Sequence, residues 1–372
     1  MTISNKRLDN LDESVSVNNL LSHYEIKHRI DNICIVSEIG AKNIDELFTR
    51  LNELEDNNHY VIKCGKAKGK DIKKLYRRQI EIRNKCNSKQ VLVIHYMPTE
   101  IDFKKTDKYQ GRGSVRLDIS PQHFSVDDIN ELILCLGKAK RLGKYMYQLL
   151  KNAWVTRIDY ALDIYNMRLS DYHIGFKGVR CGKRNSSDGE FQGQRLGSNK
   201  SDYHFSCYEK LDVGNDLASL NALDDDELQL KVANWRDIQH YRQFLRLEIR
   251  YEPRKKALLL RNLRSLHNLL ARLLFYKKPL IVKGLDFDCE ELLSHMTLPE
   301  LREYVKEVYP NEAKNHLKRL DNRLKSNQID LFNKDKLWCD FHLLVDKLGI
   351  LGVPALWQKN LREKWARKHG YK

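Results

Sequence analysis

Val155-Thr156-Arg157-Ile158-Asp159-Tyr160-Ala161-Leu162-Asp163-Ile164 reads as a strand with one apolar and one charged face. Successive side chains of a strand point to opposite sides, so Ile158, Tyr160, Leu162 and Ile164 share one face while Arg157, Asp159 and Asp163 share the other. A solvated strand face would carry charge as well. A second segment of the same kind narrows the reading: in Phe244-Leu245-Arg246-Leu247-Glu248-Ile249-Arg250-Tyr251-Glu252, three aliphatic residues alternate with two arginines and two glutamates. Two amphipathic strands that present acids among arginines suggest a metal and phosphate site.

At 372 residues the chain is long enough for two domains, or for one large domain with an appendage. Its net charge of +16 favours a polyanionic partner, because summed positive potential attracts nucleic acid. An anionic membrane surface would be attracted too, yet there is no run of about eighteen apolar residues and no signal-peptide core near Met1. A soluble, cytoplasmic protein without a membrane partner is expected. The eight cysteines are scattered with no C-x-x-C pair, which argues against a zinc ribbon or a dense disulfide framework and for reduced, mostly buried thiols.

Residues 1–25 are polar and unpatterned, as a flexible arm would be. Ile33-Cys34-Ile35-Val36 reads as a strand, and Asn43 to Leu54 as a helix with Asn43 as its N-cap. Gly65-Lys66-Ala67-Lys68-Gly69-Lys70-Asp71 has its glycines too close together for a nucleotide phosphate loop, and Asp71 stands where Ser or Thr would hold magnesium. Val91 to Ile94 and Ser114 to Ile119 read as strands, and Ser125 with Asp128 as a capping box that opens a helix to about Leu136. A second helix, Lys144 to Asn152, leads into the Arg157 strand. The order of elements predicts an α+β fold with an antiparallel central sheet.

The segment Gly197-Ser198-Asn199-Lys200-Ser201-Asp202-Tyr203-His204-Phe205-Ser206-Cys207-Tyr208-Glu209-Lys210 begins with turn residues and then alternates. Tyr203, Phe205 and Cys207 fall on one face; His204, Ser206, Tyr208 and Lys210 fall on the other. A tyrosine on a polar strand face commonly packs its ring on the sheet and leaves its hydroxyl in water. Beside Lys210, and with a metal-bound phosphate in reach, the same phenol is a candidate nucleophile.

Together, R-x-D-x-A-x-D, then G-S-x-x-S leading to Y-x-K, then R-x-E-x-R resemble the Rep_trans-type replication initiation factors of rolling-circle plasmids and filamentous phages. The matching residues are Arg157, Asp159, Ala161 and Asp163; Gly197, Ser198, Ser201, Tyr208 and Lys210; and Arg246, Glu248 and Arg250, within residues 110–255. The resemblance implies a rolling-circle initiator nuclease-like fold and a metal-dependent endonuclease, a nickase that cuts one strand at an origin and keeps the 5′ phosphate on tyrosine. It assigns Tyr208 as nucleophile and Asp159 and Glu248 as the metal ligands; hard oxygen donors from these two and Asp163 suit Mg2+ or Mn2+, and Lys210 is placed to polarise Tyr208 or to bind phosphate. Related nucleases use a histidine–hydrophobe–histidine strand, and this sequence holds no H-x-H. Asp163 alternatively pairs with Arg157 or Arg246.

The pattern departs from the family at Asn199 and Ser206, where arginine is frequent, and His204 or Lys200 are the residues at hand to replace those phosphate contacts. Residues 253–285 contain no acid, and leucines at 259, 263, 266, 270 and 273 predict a helix with a basic flank. Arg157, Lys200, Arg246, Arg250, Arg261 and Arg264 are the expected DNA contacts. The expected division is an arm over 1–25, a DNA-nicking region over 26–285 and a helical region over 286–372 serving origin recognition or oligomerisation. Origin DNA, single-stranded or as a cruciform nick site, is the expected partner, with a host helicase and a homodimeric second copy also weighed. A conjugative relaxase with the same chemistry, and a noncatalytic DNA-binding regulatory protein, stand as alternatives.

Overall fold

The computed structural model describes residues 3–17, 24–99, 113–185, 193–198, 200–232 and 241–371, so Asn199 and part of the expected arm lie outside the described residues. The chain is a mixed α/β protein built on a large antiparallel sheet with helices. It forms two compact units, each discontinuous in sequence: residues 1–29, 160–251 and 268–340 make one, and residues 30–159, 252–267 and 341–372 the other. The expected boundary at residue 285 does not correspond to either unit. Two long strands, Ile26–Ser37 and Trp154–Tyr165, start in one unit and end in the other, so the boundaries fall inside strands where no linker composition marks them.

In the first unit the strand order runs from Gly182–Asn185 through Gly193–Leu196, Tyr203–Asp212 and Arg242–Tyr251 to the end of the Arg157 strand. A small sheet of Gln328–Ile329, Leu273–Tyr276 and His173–Phe176 carries the helices Cys289–His295, Leu298–Val308 and Ala313–Asn327, packed through Leu280, Leu293, Leu301 and Leu320. Residues 3–17 correct the expectation of a flexible arm. Leu8–Asp9 pairs in parallel with Leu211–Asp212, while Ile3 and Leu8 join Leu211 and Leu228 in one core cluster and Leu11 packs with Tyr165 and Phe244. Too few apolar residues occur there for a pattern, yet Ile3, Leu8, Leu11 and Val17 are buried.

In the second unit, residues 33–37 pair with Val115–Ile119, followed by Val91–Pro98, Tyr76–Asn84 and Tyr60–Lys66. The Ser125 box forms as its spacing predicts: Ser125 Oγ accepts from the Asp128 amide at 3.1 Å and Asp128 Oδ2 from the Ser125 amide at 3.0 Å. The helix expected from Asn43 starts earlier, at Ala41, with Gly40 as N-cap. The leucine stripe is not an α-helix. It folds as two 3-10 segments, Leu260–Ser265 and Leu269–Arg272, and then the strand Leu273–Tyr276. Leu260, Leu263, Leu266 and Leu269 are buried at a spacing of three, the period of a 3-10 helix, which the sequence shows as clearly as the spacing of three and four.

Cys34, Cys207 and Cys289 are buried, whereas Cys64, Cys86, Cys181 and Cys339 are exposed, so fewer thiols sit in the core than expected. Among the described residues no helix is long and apolar enough to cross a membrane.

Candidate active site

Glycines shape the hairpin that presents Tyr208. Gly197 turns the chain with φ +109°, and Gly193 pairs directly with Tyr208. A Cβ on Gly193 would stand 2.4 Å from the Cys207 carbonyl oxygen and 2.9 Å from Tyr208 Cβ, so the strands close here because no side chain intervenes. Phe205 and Cys207 are buried while His204, Ser206, Tyr208 and Lys210 lie on the other face, the alternation read from the sequence. Across the sheet, Tyr208 stands opposite Arg246, Ser206 opposite Glu248 and His204 opposite Arg250. The diagonal neighbour is in reach: Tyr208 Oη donates to Glu248 Oε2 at 2.8 Å. Both line a groove of about 360 Å³ with Arg195, His204, Ser206 and Arg250.

Along the same two strands the chemistry becomes that of a buried ion network. Lys210 Nζ lies 5.7 Å from the Tyr208 ring centre and donates to Asp9 Oδ2 at 2.7 Å. Asp9 Oδ2 also accepts from Arg29 Nη2 and Arg246 Nη1, each at 2.8 Å. Arg246 then grips Asp163 with both arms of its fork, Nε to Oδ1 at 2.6 Å and Nη2 to Oδ2 at 2.8 Å, with Arg29 Nε 4.0 Å away. Burial pushes the Asp9 carboxyl up, but Arg29, Arg246 and Lys210 outweigh it and hold the group well below the usual carboxylate range. Burial pulls the Lys210 ammonium down, opposed by Asp9.

This network corrects three expectations. Asp163, 0% exposed, is the partner of Arg246, one of the two arginines weighed for it, and both its oxygens are taken. Arg246, 1% exposed, is buried between two carboxylates and presents nothing to a phosphate. Lys210 is an interior ion-pair member. The common reason is that the charged face of these central strands is covered, and a covered charge persists only when paired.

Asp159 belongs to the second unit, where it is buried and bridged by Arg157 through Nε at 2.9 Å and through Nη2. Of the remaining candidates, Arg250 lines the groove, Lys200 is exposed in the turn, Arg261 is exposed, and Arg264 is exposed and ion-paired with Asp346. The divalent ion implied by the resemblance was expected on Asp159, Asp163 and Glu248. These acids do not fit it: arginine forks occupy Asp163 and Asp159, and among the described residues no group of three or more His, Cys, Asp or Glu is placed to hold a metal.

Asp9, Arg29 and Arg195 lie outside the motifs read from the sequence. Asp9 sits in a stretch without periodicity. Arg29 carried a signal that was available, since Ile26, His28 and Ile30 alternate with Lys27, Arg29 and Asp31. No family model matches this sequence, and no curated protein matches it either.

Proposed function

We propose that this protein nicks one strand of DNA at a replication origin through Tyr208 and thereby starts rolling-circle replication. The observation that carries the reading is the 2.8 Å hydrogen bond from Tyr208 Oη to Glu248 Oε2, at the wall of a groove that Arg195 and Arg250 also line. A phenol is a weak nucleophile while it keeps its proton, and a carboxylate at hydrogen-bond distance takes that proton as the oxygen attacks. The Tyr208 oxygen forms a bond to phosphorus and the bond from phosphorus to the 3′ oxygen breaks. The departing oxygen takes a proton from water and becomes the 3′ hydroxyl that primes synthesis. The 5′ phosphate stays on Tyr208, and arginine forks in the groove balance the charge that builds on its oxygens. A conjugative relaxase would use the same steps at a transfer origin.

A second reading, a noncatalytic DNA-binding protein, draws on the Asp163–Arg246 and Asp159–Arg157 pairs, in which acids serve only to neutralise arginines. One experiment separates the two. Single-stranded oligonucleotides recovered from the DNA bound in cells are incubated with the protein, and adducts that survive denaturing electrophoresis are mapped by mass spectrometry. The nickase reading expects the adduct on Tyr208, its absence in Tyr208→Phe, and nicking slowed by about 10²–10⁴-fold in Glu248→Gln, with DNA affinity retained in both. Cleavage without an adduct overturns the tyrosine mechanism; binding without cleavage supports the second reading.

A further inference from the structure

A long, strongly basic segment belongs to the unit that does not contain Tyr208. Residues 63–89 carry eleven Lys and Arg against two acids, an excess of nine in a chain whose net charge is +16. Both acids are answered within the segment, Asp71 by Lys74 at 3.6 Å and Glu81 by Arg83. The fold gathers the cations on one hairpin. Tyr60–Lys66 pairs antiparallel with Tyr76–Asn84, Lys66 standing opposite Arg78, and the short helix Lys70–Leu75 forms the connection. Arg83 is half-buried and the other ten cations are exposed, among them Lys66, Lys68, Lys70, Lys73, Arg77 and Arg78.

Tyr60–Lys66 ends the strand order, and lysine on an edge strand blocks pairing with other chains. That explains Lys63 and Lys66, which lie on the strand, but not the lysines of the connection or the cations of the strand Tyr76–Asn84, which is paired on both sides. Stable attachment to an anionic membrane takes apolar side chains or a lipid chain beside the basic patch. Among the described residues, the exposed large hydrophobics are Leu230, Ile281, Val308, Leu343 and Leu361, none of them on this hairpin. A single-stranded nucleic acid asks for an aromatic face on which bases stack. The tyrosines here, Tyr60 and Tyr76, are buried in the core at 5% and 1% exposure. What is left is a polyanion whose charge lies on its outside and whose bases are already stacked. Duplex DNA is that polymer, with one charge per about 1.7 Å of axis.

We propose that this hairpin docks the phosphate backbone of double-stranded DNA, independently of sequence. The interaction goes beyond the nicking assigned to Tyr208 and stands whether or not that assignment does. Phosphate contacts hold register and orientation without reading bases, so such a surface would add salt-sensitive affinity for any duplex.

The test measures affinity of the full chain for a duplex of arbitrary sequence across about 50 to 200 mM salt, for wild type and for a variant with Lys66, Lys68, Lys70 and Lys73 all changed to glutamine. Each lost contact flattens the slope of log affinity against log salt by about 0.9, so the variant is expected to lose about 3 to 4 in slope. These side chains are exposed, and an unchanged circular dichroism spectrum and melting temperature confirm that the fold is intact. An unchanged slope overturns the proposal. So does an equal loss on a thymidine single strand, or a loss seen only on phosphatidylserine vesicles. Adduct formation at Tyr208 on a short single strand, measured on the same variant, is expected to persist; its absence from wild type as well would count against the nickase and leave the duplex result untouched.

Discussion

Replacing Arg246 with methionine probes the buried network most directly. Arg246 donates to both oxygens of Asp163, at 2.6 and 2.8 Å, and to Asp9 at 2.8 Å. Methionine keeps much of the apolar stem and removes the charge, leaving Asp163 fully buried with Arg29 at 4.0 Å. Two unit charges about 4 Å apart interact by about 4 kcal/mol at an effective dielectric constant of about 20. Removing one partner of a buried pair costs about 3–5 kcal/mol for the same reason, because the charge left behind has lost both water and counter-ion. The expected loss is therefore about 3–5 kcal/mol, a large part of the about 5–15 kcal/mol that holds a typical domain folded. Urea unfolding followed by circular dichroism reads it as a lowered midpoint. The double variant Asp163→Leu with Arg246→Met is expected to recover much of the loss, since no uncompensated charge remains at that position. A loss under about 1 kcal/mol, the level of an exposed pair, accompanied by a flatter salt dependence of DNA binding, would refute the reasoning and restore Arg246 as a phosphate contact.

Two further predictions follow from local geometry. Burial pulls the imidazole of His28, 1% exposed, from 6.5 down to about 4, and its Nε2 meets no hydrogen-bond partner among the described residues. The unfolded chain thus takes up a proton that the folded chain refuses, so stability is level above pH 6.5 and falls by about 1.4 kcal/mol per unit as pH drops towards 4. His28→Phe is expected to remove that contribution, read from urea midpoints across the interval; the same slope in the variant would count against it. Gly193→Ala forces a Cβ to within 2.4 Å of the Cys207 carbonyl oxygen, so the hairpin must shift. The expected cost is about 1–3 kcal/mol together with a lower adduct yield at Tyr208, and wild-type values for both would show that the strands have room.

Sequence alone determined which residues share a face. Alternation at residues 203–210 put Tyr208 with His204, Ser206 and Lys210 and apart from Phe205 and Cys207, and the structure keeps that division. The Ser125 box and the hairpin after Gly197 were legible because their partners lie within a few residues. Covering was not legible, because period-two spacing reports the direction of a side chain and says nothing about what packs over it. Arg157, Asp159, Asp163 and Arg246 therefore carried the same pattern whether the face was open to DNA and metal or closed as ion pairs. Only the tertiary structure brought Arg29, Arg246 and Lys210 together on Asp9, over separations of up to 237 residues, and so turned a predicted ligand and two predicted functional cations into a buried network. The same limit applied to the leucines of residues 259–273: one set is spaced by three and four and another, Leu260, Leu263, Leu266 and Leu269, by three, and the packing decided for the second. Local chemistry fixes conformation over a few residues, whereas the partner of a buried charge is chosen by whichever distant segment the fold lays against it.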